Sequence, residues 1–437
     1  MGSCPVAHRF YSLLLIASIA ASFPIVIASS SSVAFAGSTD IHRLAIKKKK
    51  KKEPPARDDN QLSEKGRPLI PFAFPLPESL KPNFEFWKRI YSEFDINHAV
   101  IHDTEHLQVI YSVLDFSNPG EGDLPKGARI RAEKERIRTI LERLADGVTE
   151  ENDLSDEERV VYNLFKTVDE PDKFKAAAEP GRIRSQTGQK DKFIRAIEWS
   201  GSYLTEIENI FVSYGIPTDL TRLIFVESMF NPKARSRVGA SGLWQFMPGT
   251  GRLFMTVNAV MDERNDPYAA THAAAKLLKT NYERLGQWPL AVNAYNSGAL
   301  NLAQAMEDMQ TDDIGLIAKN YRGGSYKFAS RNFYTEFLAA LEVANHYKDY
   351  FGEIARMEPV PYETFTLETP LLLSQLTERC GVDMATLEEM NPAYSKAFFS
   401  NSKPFPAGRT LRIPAGFSDR FAEAVRNISE EKAIAAQ

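Results

Sequence analysis

Apolar residues recur at different periods along this chain, and the changes of period divide it. Ile130, Ile137, Ile140, Leu141 and Leu144 fall on one helical face, which predicts a helix over residues 126–145 with Gly147 just beyond as its stop. Ser155 with Glu158 three residues later has the form of a capping box, so a second helix starts there and carries Val160, Val161, Leu164 and Phe165. Upstream, Val100 and Ile101, then Val109, Ile110, Tyr111 and Val113, are β-branched or aromatic runs around a polar Asp-Thr-Glu-His break, the pattern of a hairpin. His98, His102 and His106 recur there every four residues. On a helix they would share a face and, with Asp103 or Glu105, suit a metal ion; on strands they diverge into ordinary surface and packing roles, the reading the hairpin favours.

Farther along, the period is helical almost throughout. Phe193, Ile197, Leu204, Ile207, Ile210 and Phe211 predict one long amphipathic face ending near Gly215, after which Pro217 restarts the chain. A helix from Thr218 carries Leu220, Leu223, Ile224 and Phe225 and must finish by Phe230, because Pro232 disfavours helical geometry at Asn231. Asp266 and Pro267 open another helix that reaches Leu285 before Gly286. Short helices over 288–295 and 299–309 flank the turn Asn296-Ser297-Gly298. Beyond Pro359 and Pro361, strands near 365–367 and 410–413 enclose helices over 371–380 and 384–390, a small βααβ unit.

A chain of 437 residues exceeds what one core organises, so several domains are expected. The divisions are a signal peptide at 1–36, a Lys/Pro-rich disordered linker at 37–67, a mostly helical N-terminal domain at 68–187, a helical block at 188–350, the βααβ module at 360–416 and a tail at 417–437. Arg9, the apolar run from Tyr11 to Ala28, and Ala34-Phe35-Ala36 predict export; interrupting serines and Pro24 favour a cleaved leader over an anchor. Cys4 precedes the run, where a lipidated cysteine would follow it. Without the leader Cys380 is the one thiol left, so stability rests on packing rather than disulfides. The lysine run bounded by Lys47 and Lys52 reads as a solvated tether, and it would also be drawn to a membrane or anionic wall polymer at about 1 kcal/mol per residue. A net charge of -4 excludes a strongly basic nucleic-acid binder, so no nucleic acid is expected as partner.

One carboxyl stands out chemically. Glu227 falls in the last turn of its helix beside Phe225, Val226 and Phe230, where the helix dipole and desolvation both raise its pKa, the property of a general acid. The small residues from Ser236 through Gly242 then allow close backbone approach to a ligand and lead into Leu243, Trp244, Gln245, Phe246 and Met247, which read as a cleft floor.

Here the sequence resembles a known family. Glu227-Ser228, Phe230-Asn231-Pro232, Ala234, Ser236, Gly239-Ala240, Gly242-Leu243, Gln245 and Met247-Pro248-Gly249-Thr250, followed by Ala294-Tyr295-Asn296-Ser297-Gly298, resemble the two motifs of family 1 lytic transglycosylases, the SLT domain, over residues 188–345. Within that family the pattern is most similar to the membrane-bound murein transglycosylase D type. The resemblance implies a mainly α protein: a lysozyme-like helical catalytic domain, a mixed α/β N-terminal domain and a small α+β LysM-like module. It implies cleavage of peptidoglycan glycan strands with no metal or organic cofactor. Glu227 would be acid and then base, Ser236 and Gln245 would hydrogen-bond the sugar, Met247 would line the cleft, Tyr295 would orient the glutamate or the N-acetyl group, and Asn296 would shape the turn.

A second carboxylate is absent between Asn231 and Met261, which suits a reaction using the substrate's own N-acetyl group. Similar proteins carry Glu-Thr-x-x-Tyr near the last helix, whereas this chain has Ala329, Ser330 and Phe333, leaving a catalytically impaired wall-binding protein as one rival. A goose-type muramidase is the other; it would need a water-positioning carboxylate, for which Asp262, Glu263 or Asp266 are nearest in sequence. Cys380-Gly381, Asn391-Pro392 and Ile413-Pro414 resemble a LysM glycan-binding module whose opening, Glu368-Thr369-Pro370, is degenerate.

Overall fold

The computed structural model describes residues 73–118, 124–147 and 154–435, so the expected leader and lysine run lie outside the described residues. The chain is mainly helical. Its first described helix, α1 (Lys81–Ser92), precedes a hairpin of β1 (His98–Asp103) and β2 (Ile110–Asp115). Next come α2 (Lys126–Ala145), α3 (Asp156–Leu164), α4 (Lys173–Ala178) and β3 (Ile183–Thr187). Strand order is β2-β1-β3, both pairs antiparallel, with Ala99 opposite Leu114 on one side and Thr187 on the other. Helix α2 has the predicted bounds, and Ser155 and Glu158 make both halves of the capping box.

The three histidines go separate ways. His98 Nδ1 meets Asp95 at 2.7 Å, His102 Nδ1 meets the Asp103 carbonyl at 2.9 Å and His106 Nε2 meets Glu170 at 2.9 Å.

The helical block runs α5 (Lys190–Ser200), α6 (Leu204–Ser213), α7 (Leu223–Glu227), α8 (Pro248–Gly251), α9 (Pro267–Leu285), α10 (Trp288–Ser297), α11 (Ala299–Met309), α12 (Ile314–Asn320), α13 (Phe328–Asn345) and α14 (Tyr347–Phe351). The single amphipathic helix expected through Gly215 is in fact α5 and α6, broken at Gly201. A Cβ there would lie 2.2 Å from the Met357 carbonyl oxygen, and Met357 N–H donates to Glu198 at 2.9 Å: a returning segment crosses where the helix would continue. The helix expected from Thr218 to Phe230 is also corrected, to a 3-10 turn over Thr218–Arg222 and the five residues of α7.

Core membership crosses the boundary expected at residue 187. Phe84, Trp87, Ile90 and Tyr91 of α1 are buried in one cluster with Phe193, Phe225, Trp244, Leu290 and Phe337, so α1 belongs to the helical block. Ile101, Tyr111, Ile137, Leu141, Phe165 and Ile183 make a separate core between sheet and helices. Glu105, in the β1–β2 turn, ties that unit to α13 and the segment before it, accepting from Arg331 at 2.6 Å and from Arg322 at 2.7 Å.

The C-terminal module contains β4 (Tyr362–Leu367), α15 (Leu373–Cys380), α16 (Met384–Met390), α17 (Lys396–Phe399), β5 (Arg409–Pro414) and α18 (Ser418–Ala435), with β4 and β5 antiparallel. The expected tail is therefore a helix: Phe421, Ala424 and Ile428 of α18 are buried with Leu373, Leu376, Cys380 and Phe405. Full burial of such side chains contributes about 1.5–3 kcal/mol each, enough to hold α18 on the module. Among the described residues no helix is long and apolar enough to cross a membrane.

Candidate active site

Helix α7 ends at Glu227 because the chain turns sharply after it. Met229 and Phe230 both adopt left-handed backbone, with φ of 51° and 54°, at a cost of about 1–2 kcal/mol per residue for side chains other than glycine. Phe230 offsets this: it is fully buried, with its ring edge-on to Phe225 at 4.7 Å, and Phe225 stacks on Phe193 at 4.8 Å. The turn leaves Glu227 half-buried in the wall of a cleft of about 420 Å³. Burial first, and then the nearby Glu336, push its carboxyl up to about 8.

Residues 234–247 form a loop pinned from beneath. Arg264 Nη1 donates to the carbonyls of Gly239 at 2.7 Å and Phe246 at 2.9 Å, while Asp262 holds the same guanidinium through Nε at 2.9 Å. Ser241 Oγ donates to Asn265 at 2.6 Å. Gly242 has φ of 77°, and a Cβ there would sit 1.8 Å from the Arg264 carbonyl oxygen, so no side chain fits. Trp244 is core rather than cleft floor: it is fully buried, stacks on Phe211 at 5.5 Å and donates from Nε1 to Thr271 Oγ1 at 2.8 Å.

Of the residues singled out in the sequence, the fold brings Glu227, Gln245 and Asn296 to the cleft wall. Gln245, with left-handed backbone of its own, donates from its amide to the carbonyls of Gly242 at 2.8 Å and Ala234 at 3.2 Å. Asn296 accepts from Ser330 Oγ at 2.9 Å. Ser236 and Met247 are not among the residues lining the cleft: Ser236 Oγ accepts from Ala240 N–H at 2.8 Å within the loop, and Met247 caps α8. Tyr295 donates to the Trp244 carbonyl at 2.8 Å, so its hydroxyl secures the loop rather than the glutamate; burial, then Glu227, push its phenol well up.

The rest of the lining comes from other elements, most of them not singled out in the sequence. Trp87 of α1, Arg184, Gln186 and Thr187 on β3, and Gln189 and Lys192 around the start of α5 line the cleft, together with Phe328, Ala329, Phe333 and Glu336 of α13. Glu336 is the functional candidate sequence reasoning missed. Burial pushes its carboxyl up to about 8, while Arg184 pulls the other way. Its signal was available, since 329, 333 and 336 recur at helical spacing on one face.

Asp262, Glu263 and Asp266 lie outside the cleft lining. Asp262 pairs with Arg264, Glu263 accepts from Thr256 N–H at 2.6 Å, and Asp266 caps α9 while pairing with Arg412 at 3.0 Å. As water-positioning groups they are out of place. Among the described residues no group of three or more His, Cys, Asp or Glu side chains could hold a metal ion.

Comparison with known proteins agrees with the motif residues. Residues 212–317 match the family model described as Transglycosylase SLT domain. The chain is 25% identical over 257 residues to membrane-bound lytic murein transglycosylase D of Escherichia coli strain K12, covering 56% of this chain and 55% of that protein. It is 35% identical over 82 residues to a transglycosylase of Enterobacteria phage PRD1, 19% of this chain and 29% of that one. A crystal structure of the 70 kDa soluble lytic transglycosylase of Escherichia coli aligns at 24% identity and a TM-score of 0.26 over 34% of this chain and 25% of that one. The chain thus spans about half the length of the first curated relatives it matches.

Proposed function

We propose that this chain, whose residues 212–317 carry a transglycosylase SLT domain, is a lytic transglycosylase of the cell envelope. It cleaves the β-1,4 bond between N-acetylmuramic acid and N-acetylglucosamine in peptidoglycan and leaves 1,6-anhydro ends. The observation that carries this reading is Glu227, half-buried in the wall of a cleft of about 420 Å³ and with its carboxyl pushed up to about 8, so that it keeps its proton through neutral pH.

The reaction needs that proton twice. Glu227 donates it to the glycosidic oxygen as the C1–O bond breaks, and the substrate's own acetamido oxygen meets the charge growing at C1. The 6-hydroxyl of the same sugar then attacks C1 and returns its proton to Glu227, so atoms balance without water. Gln245, Asn296 and the β3 residues line the same cleft as Glu227 and are the polar groups available to the strand in this reading. The C-terminal module adds glycan affinity in this reading, and the basic run at Lys47 and Lys52 adds attraction to anionic envelope surfaces.

A second reading has one specific observation behind it. Glu336 brings another carboxyl to the cleft, and two carboxyl groups are what a hydrolysing muramidase uses. Mass spectrometry of digested sacculi separates the two. Anhydro products support transglycosylation, and products heavier by one water would replace it with hydrolysis.

A further inference from the structure

The face of α13 toward the cleft presents Ala329, Phe333 and Glu336 on successive turns, so a methyl, a ring and a carboxyl line the space that Glu227 enters from α7. Among the described residues neither Glu227 nor Glu336 makes a hydrogen bond or a close ion pair. Their surroundings differ in one respect. Arg184 of β3, its guanidinium over the Phe328 ring at 4.3 Å, acts on Glu336, and its buried Nε has no hydrogen-bond partner. The other titratable groups around the pair are Tyr91 from α1, Lys192 from α5, Tyr295 from α10, and Lys233 and Arg235 from the loop after α7.

Resting on the reading of Glu227 as the acid, we propose that Glu336 is a positioning residue that takes the first negative charge of the carboxyl pair and so extends upward in pH the range over which Glu227 keeps the proton that burial already favours, with Arg184 biasing the charge toward Glu336. Two carboxyls in one low-dielectric cleft do not ionise independently: the charge on one opposes the charge on the other. The nearby cation decides which ionises first. Arg184 favours the charged form of Glu336, and that charge in turn raises the proton affinity of Glu227. The sheet unit, through β3, thereby sets the pH range over which the helical block works.

The test is the pH profile of kcat/KM for sacculus digestion by the full chain and five variants. Glu336→Gln removes the like charge, so the basic limb moves down by about one unit, read as an about tenfold lower ratio of the rate at pH 8 to that at pH 5. Arg184→Gln leaves Glu336 uncharged to higher pH and moves the limb the same way; added to Glu336→Gln it moves the limb no further. Glu336→Asp restores most of the range and keeps the test open if the amide variant folds poorly. A Glu336→Gln profile of wild-type shape, whatever its height, overturns the proposal, as does an Arg184→Gln shift that adds fully in the double variant. Glu227→Gln marks the underlying reading separately: activity retained in that variant removes the acid itself, whereas activity lost there with an unmoved Glu336→Gln profile removes only the pairing.

Discussion

Two groups of carboxylates lie within 40 residues of each other in sequence around the site, and they are put to opposite use. At the end of α7, Glu227 is desolvated, has a second carboxyl as its electrostatic partner and is paired with no guanidinium, so its proton is held. At the start of α9, Asp262 and Asp266 are paired with Arg264 and Arg412, and Asp266 also accepts from the N–H groups of Tyr268 and Ala269. There the negative charge itself is the useful form: it clamps the loop from beneath and docks the C-terminal module, with the Arg412 guanidinium 5.2 Å from the ring centres of both Tyr268 and Tyr362. The residue type says little; the partner decides whether a carboxyl is an acid or a bracket.

That contrast can be broken at either end. The largest effect is expected at Glu227: Glu227→Gln keeps the shape, loses the proton, and should lower turnover about 10²–10⁴-fold while binding of sacculi persists, measured by dye-release and pull-down assays. The same substitution should stabilise the fold in a pH-dependent way. Above about 4.5 an unfolded chain ionises this glutamate, whereas the folded chain keeps its proton to about 8, so folding takes up a proton and stability falls as pH rises through that window. The melting temperature of Glu227→Gln relative to wild type should therefore rise between pH 5 and pH 8.

Next in size is the loop beneath. Gly242→Ala forces a side chain into left-handed backbone and against the Arg264 carbonyl, at a cost of about 1–3 kcal/mol for the backbone alone, and should lower both melting temperature and turnover. Smallest is the structural carboxylate: Asp266→Ala removes a helix cap and one partner of Arg412, costing about 1–2 kcal/mol in chemical denaturation, with turnover staying near the wild-type value. A large loss of turnover in Asp266→Ala without a loss of stability would erase the contrast.

Local signals were read well from sequence. The bounds of α2, the capping box of α3, the start and stop of α9, the β1–β2 hairpin and both strands of the module follow from periodicity and caps alone. What was not legible came from distant chain. The break at Gly201 answers to Met357, the shortness of α7 to the left-handed turn at Met229 and Phe230, and the membership of α1 in the helical core to its packing on α13. For α18 the spacing of Phe421, Ala424 and Ile428 was visible but went unused. At the site itself Glu227 could be nominated from the motif that begins with it and from its apolar neighbours in sequence, and the fold places it in the cleft lining. Glu336 lies 109 positions away and shares a cleft with Glu227 only after folding, one turn beyond the 329–333 segment that departs from the family pattern.

Where the Glu227 proton resides in the free protein is the most direct test of its role as the acid. Carbon-detected NMR of side-chain-labelled glutamate, with the resonance assigned by its loss in Glu227→Gln, follows that carboxyl directly across pH 4 to 10. A midpoint near 8 is the predicted result. A midpoint near 4.5, the value of a solvated glutamate, would show a carboxylate with no proton to give at neutral pH and would contradict the account.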